Sequence, residues 1–238
     1  MFISTSNKNV LILGSNSDIA INLAVKLKSL NYNVILHYNK KKNLILKTSP
    51  KLKNFKIKAD LSNKDQTNKM FKILRKNYQK IDFILSNFSS YDDPNKLDKL
   101  TNYEKVFKSN FFGNINVIFS LMKYFKTSKK KIMIISSNSS YRGSATLPAY
   151  ASSKASLDNL VKSFSKIYDS KYLKICSVQF GPVLTSKLIL SKGKKWIINL
   201  KKKLPKKKLL TPNDTTKFII KKFFTKEDIN GKNFKKLF

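Results

Sequence analysis

The sequence predicts an α/β fold: a single-domain, doubly wound parallel β-sheet with helices on both faces. Short apolar runs alternate with helical periodicity from end to end. The runs are continuous rather than alternating, as strands buried on both faces require. No Gly/Pro/Ser-rich linker divides the 238 residues, a length that suffices for one sizeable core, so residues 1–238 are read as one domain. Strand, helix, strand, repeated, is the pattern that right-handed crossovers wind into a layered sheet.

The strands, in order, are "NVLILG" (9–14), "NVILHY" (33–38), "FKIKAD" (55–60), "DFILSN" (82–87), "KIMIISS" (131–137) and "LKICSVQFG" (173–181). Each is rich in Ile, Val, Leu or Phe. Between them, Ile19, Leu23, Leu27 and Leu30 fall on one helical face, as do Met70, Leu74 and Tyr78, and Leu157, Leu160, Phe164 and Ile167. These stripes are expected to face the core. The segment Ser186–Lys208, "SKLILSKGKKWIINLKKKLPKKK", breaks the rhythm after the sixth strand. It has two readings, a lid over the carboxyl ends of the strands, where open α/β sheets bind ligands, or a solvated basic helix.

Composition narrows the function classes. A hydrophobic content of 41% and 12% aromatics argue for a packed core despite a net charge of +36. Such a charge attracts polyanions, but it is almost all lysine, with arginine only at Arg75 and Arg142. That speaks against sequence-specific nucleic-acid reading, which favours bidentate arginine. The lone Cys176 excludes an intramolecular disulfide, and with a single histidine no metal cluster is expected. No segment approaches the ~18 apolar residues of a membrane span, so a cytoplasmic location is expected.

Two turns carry chemistry. In "LILGSNSDIAINLA" the first strand runs through Gly14, Ser15, Asn16, Ser17 and Asp18 into a helix containing Ile19. A tight glycine turn at a helix N-terminus presents backbone N–H groups and a partial positive charge to a pyrophosphate. After the second strand, "HYNKKKN" (37–43) places Tyr38, Asn39 and Lys40 before Lys41 and Lys42, with no carboxylate to hold a ribose 2′-hydroxyl. If a dinucleotide binds, NADP(H) is therefore favoured over NAD(H). His37, on the strand itself, reads as structural.

The third region is "KIMIISSNSSYRGSATLPAYASSKASL". A strand ends in Ser136 and Ser137, a loop follows, and Tyr150 and Lys154 open a helix one turn apart. Such a lysine shares the face of the tyrosine, and its charge favours the phenolate over a free phenol of pKa about 10. Tyr38 and Lys42 repeat the spacing without any such serine.

Here the chain resembles the short-chain dehydrogenase/reductase family, whose fold is Rossmann-like. The family places its active-site serine at a strand end thirteen residues before its tyrosine, which selects Ser137. The resemblance implies Asn110, in "VFKSNFFGNINV", as the remaining catalytic residue, positioning a water. It implies cofactor contacts at Gly14, Ser15, Asn16, Asp18 and Ile19, at Asp60 and Leu61 after the third strand, and at Asn87 after the fourth. It adds Gly181, Pro182, Val183 and Thr185 in "FGPVLTS", and Tyr150 and Lys154 themselves. Asp18 and Ala20 stand where the family has glycines, and Phe88 adds bulk where the family has a small residue.

The reading is an NADP(H)-dependent oxidoreductase interconverting a carbonyl and a secondary alcohol. The substrate is a small molecule or a carrier-linked group, as in a 3-oxoacyl-carrier-protein reductase with an acidic carrier partner, or a sugar-related compound. A homodimer or homotetramer is expected, though the C-terminal "INGKNFKKLF" curtails the family's usual tail. The alternative is an inactive protein on the same scaffold that binds polyanions such as RNA, a membrane or an acidic partner.

Overall fold

The computed structural model describes residues 8–40, 55–204 and 207–237, with nothing said of the side chain of residue 191. The sheet is seven-stranded and parallel throughout, in the order β3-β2-β1-β4-β5-β6-β7. The strands are β1 (Asn9–Leu13), β2 (Asn33–Tyr38), β3 (Phe55–Lys58), β4 (Phe83–Ser86), β5 (Lys130–Ser137), β6 (Leu173–Phe180) and β7 (Asn233–Lys236). The helices are α1 (Asp18–Ser29), α2 (Lys64–Asn77), α3 (Leu100–Phe107), α4 (Gly113–Tyr124), α5 (Ser139–Arg142), α6 (Pro148–Ile167), α7 (Ser186–Lys203) and α8 (Pro212–Phe223). A π-helical turn, Lys108–Phe112, joins α3 to α4. The strands end within a residue or two of their sequence-based bounds.

Two cores flank the sheet, and β1 shows how one strand feeds both. Val10 and Ile12 pack with Leu23 and Leu27 of α1 and Ile219 and Phe223 of α8. Leu11 and Leu13 pack on the other face with Met70 and Leu74 of α2, Val117 and Leu121 of α4 and Leu157 of α6. Side chains of alternate strand residues point to opposite faces, so an unbroken apolar run serves both layers.

One stripe residue departs from expectation. Ile167 is 67% exposed, while Leu157, Val161 and Phe164 are buried. At 100° per residue, Ile167 lies roughly 80° around the helix from Leu157. Val161 stays on the seam and takes the place assigned to Ile167.

The strand order reverses between β1 and β4, since the chain builds outwards through β2 and β3 and then returns to the other side of β1. This reversal opens a crevice at the carboxyl ends of β1 and β4, where doubly wound sheets bind ligands. Gly14 and Asn87 stand at its lip.

Candidate active site

The β1–α1 turn is pinned by its neighbours. Gly14 has φ +74°, and a Cβ there would lie 2.8 Å from the backbone N and Cα of Phe88. Only glycine meets both demands. His37 is buried, with Nδ1 accepting from the Gly14 N–H at 3.2 Å and Nε2 donating to the Ala59 carbonyl at 3.0 Å. Burial lowers its pKa to about 4, so it is neutral and structural. The Ser15 N–H and hydroxyl both donate to the His37 carbonyl, and Asn87 Nδ2 donates to the Gly14 carbonyl and to Ser17 Oγ. Ser17 caps α1 by accepting from the Ala20 N–H. The first turn of α1, with Asp18 and Ile19, faces this crevice with N–H groups that have no acceptor within the helix.

Two of the three departures from the family pattern, Phe88 and Asp18, direct their side chains away from this turn. The Phe88 ring packs into the α2/α4 core, in a notch where a Cβ on Gly113 would come within 2.9 Å of ring Cε2. The Asp18 carboxylate reaches across to accept from the backbone N–H of Ser186, the first residue of α7. Asp60 folds back to accept from the N–H and hydroxyl of Ser62 at 2.9 and 2.7 Å, and the Leu61 side chain is buried in the core. Tyr38 and Asn39 are half-buried at the end of β2, and Lys40 is exposed. Lys41, Lys42 and Asn43 lie outside the described residues.

The end of β6 completes the rim. A Cβ on Gly181 would collide with the carbonyl of Leu237, so the close passage of the β7 end requires glycine there. Pro182, Val183 and Leu184 are zipped to Leu210 by two backbone hydrogen bonds, Leu210 N–H to the Pro182 carbonyl and Leu184 N–H to the Leu210 carbonyl. Thr185 then caps α7 by accepting from the Leu188 N–H. The candidate lid is thus a helix, broken at Gly193 (φ +74°), and among its described side chains only Ile197 is buried.

The catalytic candidates converge across three elements. Ser137, at the end of β5, is close enough to the Tyr150 phenol for its hydroxyl to lower the phenol pKa, and its Oγ accepts from the Ser139 N–H at 3.2 Å. Lys154 follows one turn after Tyr150 on α6, with Nζ 5.5 Å from the phenol ring centroid and donating to the Ile135 carbonyl at 2.7 Å. Burial lowers the Lys154 pKa to about 8, while the Asp158 carboxylate raises it. Burial and the Tyr91 phenol hold the Tyr150 hydroxyl well above its ordinary value, against the lowering effect of the Ser137 hydroxyl. The phenolate-favouring effect expected of the lysine is outweighed here, and Tyr150 stands as a protonated acid.

Asn110 is fully buried in the π-helical turn. Its amide accepts from the Ser90 N–H at 2.7 Å, donates to the Ser90 carbonyl at 3.0 Å and donates to Ser153 Oγ at 2.9 Å. Ser153 in turn donates to the Tyr150 carbonyl. The Asn110 carbonyl accepts from Asn114 Nδ2 at 2.7 Å.

Three residues that the sequence reading missed hold this site. Asp92 is buried at the N-terminus of α6, where its carboxylate accepts from the N–H groups of Ala149 and Tyr150 at 3.0 and 2.8 Å and from Asn102 Nδ2 at 2.9 Å. Asp158 accepts from Ser136, Ser177 and Gln179 at 2.6–3.0 Å. Tyr91 stacks on Tyr150, with centroids 4.7 Å apart and planes 21° from parallel. A carboxylate beside a serine and a tyrosine has no sequence spacing that announces it; only the doublet "DDP" before a helix hinted at a cap.

Among the described residues there is no group of metal-binding side chains and no helix long and apolar enough to cross a membrane. A family model for short chain dehydrogenases matches residues 8–193. No curated protein matches the chain. Among solved structures, a short chain dehydrogenase from Bacillus anthracis aligns over 97% of this chain and 94% of its own, with TM-score 0.84 and 17% identity. The ligand-free aldohexose dehydrogenase of Thermoplasma acidophilum aligns over 99% and 94%, at TM-score 0.82 and 19% identity. The protein ElxO, solved with NADP bound, aligns over 96% of each chain at TM-score 0.81 and 23% identity. At these identities the likeness is one of fold.

Proposed function

We propose that this chain, which belongs to the short-chain dehydrogenase family and is an oxidoreductase of that family, interconverts a carbonyl and a secondary alcohol with NADP(H). The observation that carries the reading is the convergence of Ser137, Tyr150 and Lys154, with the phenol beside the serine hydroxyl and a buried ammonium. The family works with NAD(P)(H). The residues present fit that group: Gly14 sets the tight turn, and the first turn of α1 offers N–H donors to a pyrophosphate. Tyr38, Asn39 and Lys40 lie on the adenosine side with Asp60 and Leu61, Asn87 lies at the centre, and Gly181, Pro182, Val183 and Thr185 lie on the nicotinamide side. The preference for the 2′-phosphate rests on the missing carboxylate after β2.

The bound nicotinamide supplies the hydride that reduces the carbonyl carbon. Ser137 orients the substrate oxygen, and Tyr150 donates the proton that turns that oxygen into a hydroxyl. Lys154 favours the resulting phenolate and holds the cofactor ribose, and Asn110 positions a water leading to solvent. In the reverse direction the same phenolate takes the alcohol proton. Tyr150→Phe is expected to lower turnover by three orders of magnitude or so while NADPH binding, read by fluorescence titration, stays within about twofold. Turnover of the variant at the wild-type rate would sink the assignment. The same titration with NADH tests the cofactor preference, and equal affinity for both would refute it.

A further inference from the structure

The Tyr150 phenol is the proton donor in the reading above, yet its ring is only 8% exposed. Tyr91 covers it. The two rings stack with centroids 4.7 Å apart and planes 21° from parallel, and burial together with the Tyr91 phenol favours the neutral form of the Tyr150 hydroxyl. A substrate oxygen must accept that same proton. The Tyr91 ring therefore lies over the acid, where a group flanking the carbonyl has to go.

Tyr91 is itself held. On either side of it in the chain, the backbone is clamped by buried side chains: Ser90 by both polar atoms of Asn110, and Asp93 by Asn102 Oδ1, which accepts from its N–H at 2.9 Å. Asp92 is locked to the start of α6. From α7, Lys187 brings its ammonium to 4.6 Å from the Tyr91 ring centroid, within cation–π range. A ring that is 42% exposed is thus anchored through its backbone and gripped on its exposed side.

We propose that Tyr91 is a specificity-determining residue, a movable aromatic wall over Tyr150 that admits carbonyl compounds with one small flank and rejects those bulky on both. This rests on the oxidoreductase reading. Lys187 sets how readily the wall yields, which couples α7 to substrate choice.

The test compares cyclohexanone with 2-phenylcyclohexanone as probes, reading kcat/KM for NADPH oxidation in wild type, Tyr91→Ala, Tyr91→Phe and Lys187→Met. Where turnover of a probe is too slow to measure, its binding is read by saturation-transfer NMR. Tyr91→Ala is expected to raise the ratio of bulky to small probe by about tenfold or more, the scale at which a hydrophobic pocket discriminates. Tyr91→Phe keeps the wild-type ratio, and Lys187→Met falls between. Independently of turnover, nitration of Tyr150 by tetranitromethane, mapped by peptide mass, is expected to be about tenfold faster in Tyr91→Ala. An unchanged nitration rate, or faster nitration with an unchanged probe ratio, would overturn the proposal. A Tyr150→Phe variant as active as wild type overturns the oxidoreductase reading instead, and is recognised separately because Tyr150 nitration, compared between wild type and Tyr91→Ala, still reports the cover.

Discussion

The segment Ser90–Asp93 and helix α7 meet at Tyr91, which stacks on Tyr150, but they are attached in different ways. Ser90–Asp93 is short and irregular, and it is fixed by three buried polar side chains, Asp92, Asn102 and Asn110, that answer its backbone and the N-terminus of α6. Helix α7 is long and regular apart from its break at Gly193, yet among its described side chains only Ile197 is buried. Its other ties are at its start, the Asp18 carboxylate to Ser186 and the Thr185 cap, and at Lys187 on Tyr91. Regular secondary structure and firm anchoring are therefore different properties. Buried hydrogen-bonded groups are costly to disturb, whereas a helix with little apolar burial opens locally at small free energy. The segment that carries Tyr91 holds its backbone geometry, and the helix that touches its ring is the one free to move.

The sharpest way to break the comparison is at Asp92. Asp92→Ala leaves the Ala149 and Tyr150 N–H groups and the Asn102 amide without their acceptor, and we expect a loss of about 3 kcal/mol in urea unfolding. Asp92→Asn, which keeps one acceptor oxygen, should lose less. A loss below about 0.5 kcal/mol for the alanine variant would mean that the segment is not held as described.

A smaller effect is expected at Asp158, whose carboxylate offsets the burial of Lys154. Burial has already brought Lys154 to about 8 from 10.5. The unfolded chain thus binds more protons between these values, and stability from this group rises with pH across that window. Activity runs the other way, because the ammonium is lost as pH rises through about 8. Asp158→Asn removes the group that raises the lysine pKa, so the alkaline fall of the pH–rate profile should begin at lower pH. A profile that does not move separates Asp158 from Lys154.

The smallest global effect belongs to α7. Ile197→Ala should change Tm by no more than about 3 °C, while trypsin cleavage at the α7 lysines becomes several-fold faster. A large Tm loss with unchanged cleavage would make α7 part of the cooperative core and erase the contrast.

The sheet, and the meeting of Ser137, Tyr150 and Lys154, were legible because both are written in spacing: continuous apolar runs for strands, and a serine, tyrosine and lysine at fixed intervals for the candidate site. What was not legible depends on who is near whom in space. Asp92 and Asp158 look like any surface carboxylates in the sequence, and only the packed fold supplies their donors. Ile167 fitted a stripe of four apolar residues, but Val161 was the better fit to the seam. Phe88 looked like bulk beside the cofactor because nothing in its own neighbourhood told that Gly113, on another helix, opens a notch for its ring.

That notch constrains the history of the chain. Phe88 and Gly113 are an epistatic pair, since a methyl group at position 113 would come within 2.9 Å of the ring. A lineage therefore reaches this arrangement most directly by having glycine at 113 before phenylalanine at 88. Once the ring is seated, the return to alanine at 113 is obstructed until the ring is lost. The two positions should drift together, and a survey of relatives that sorted them independently would miss why either residue is tolerated.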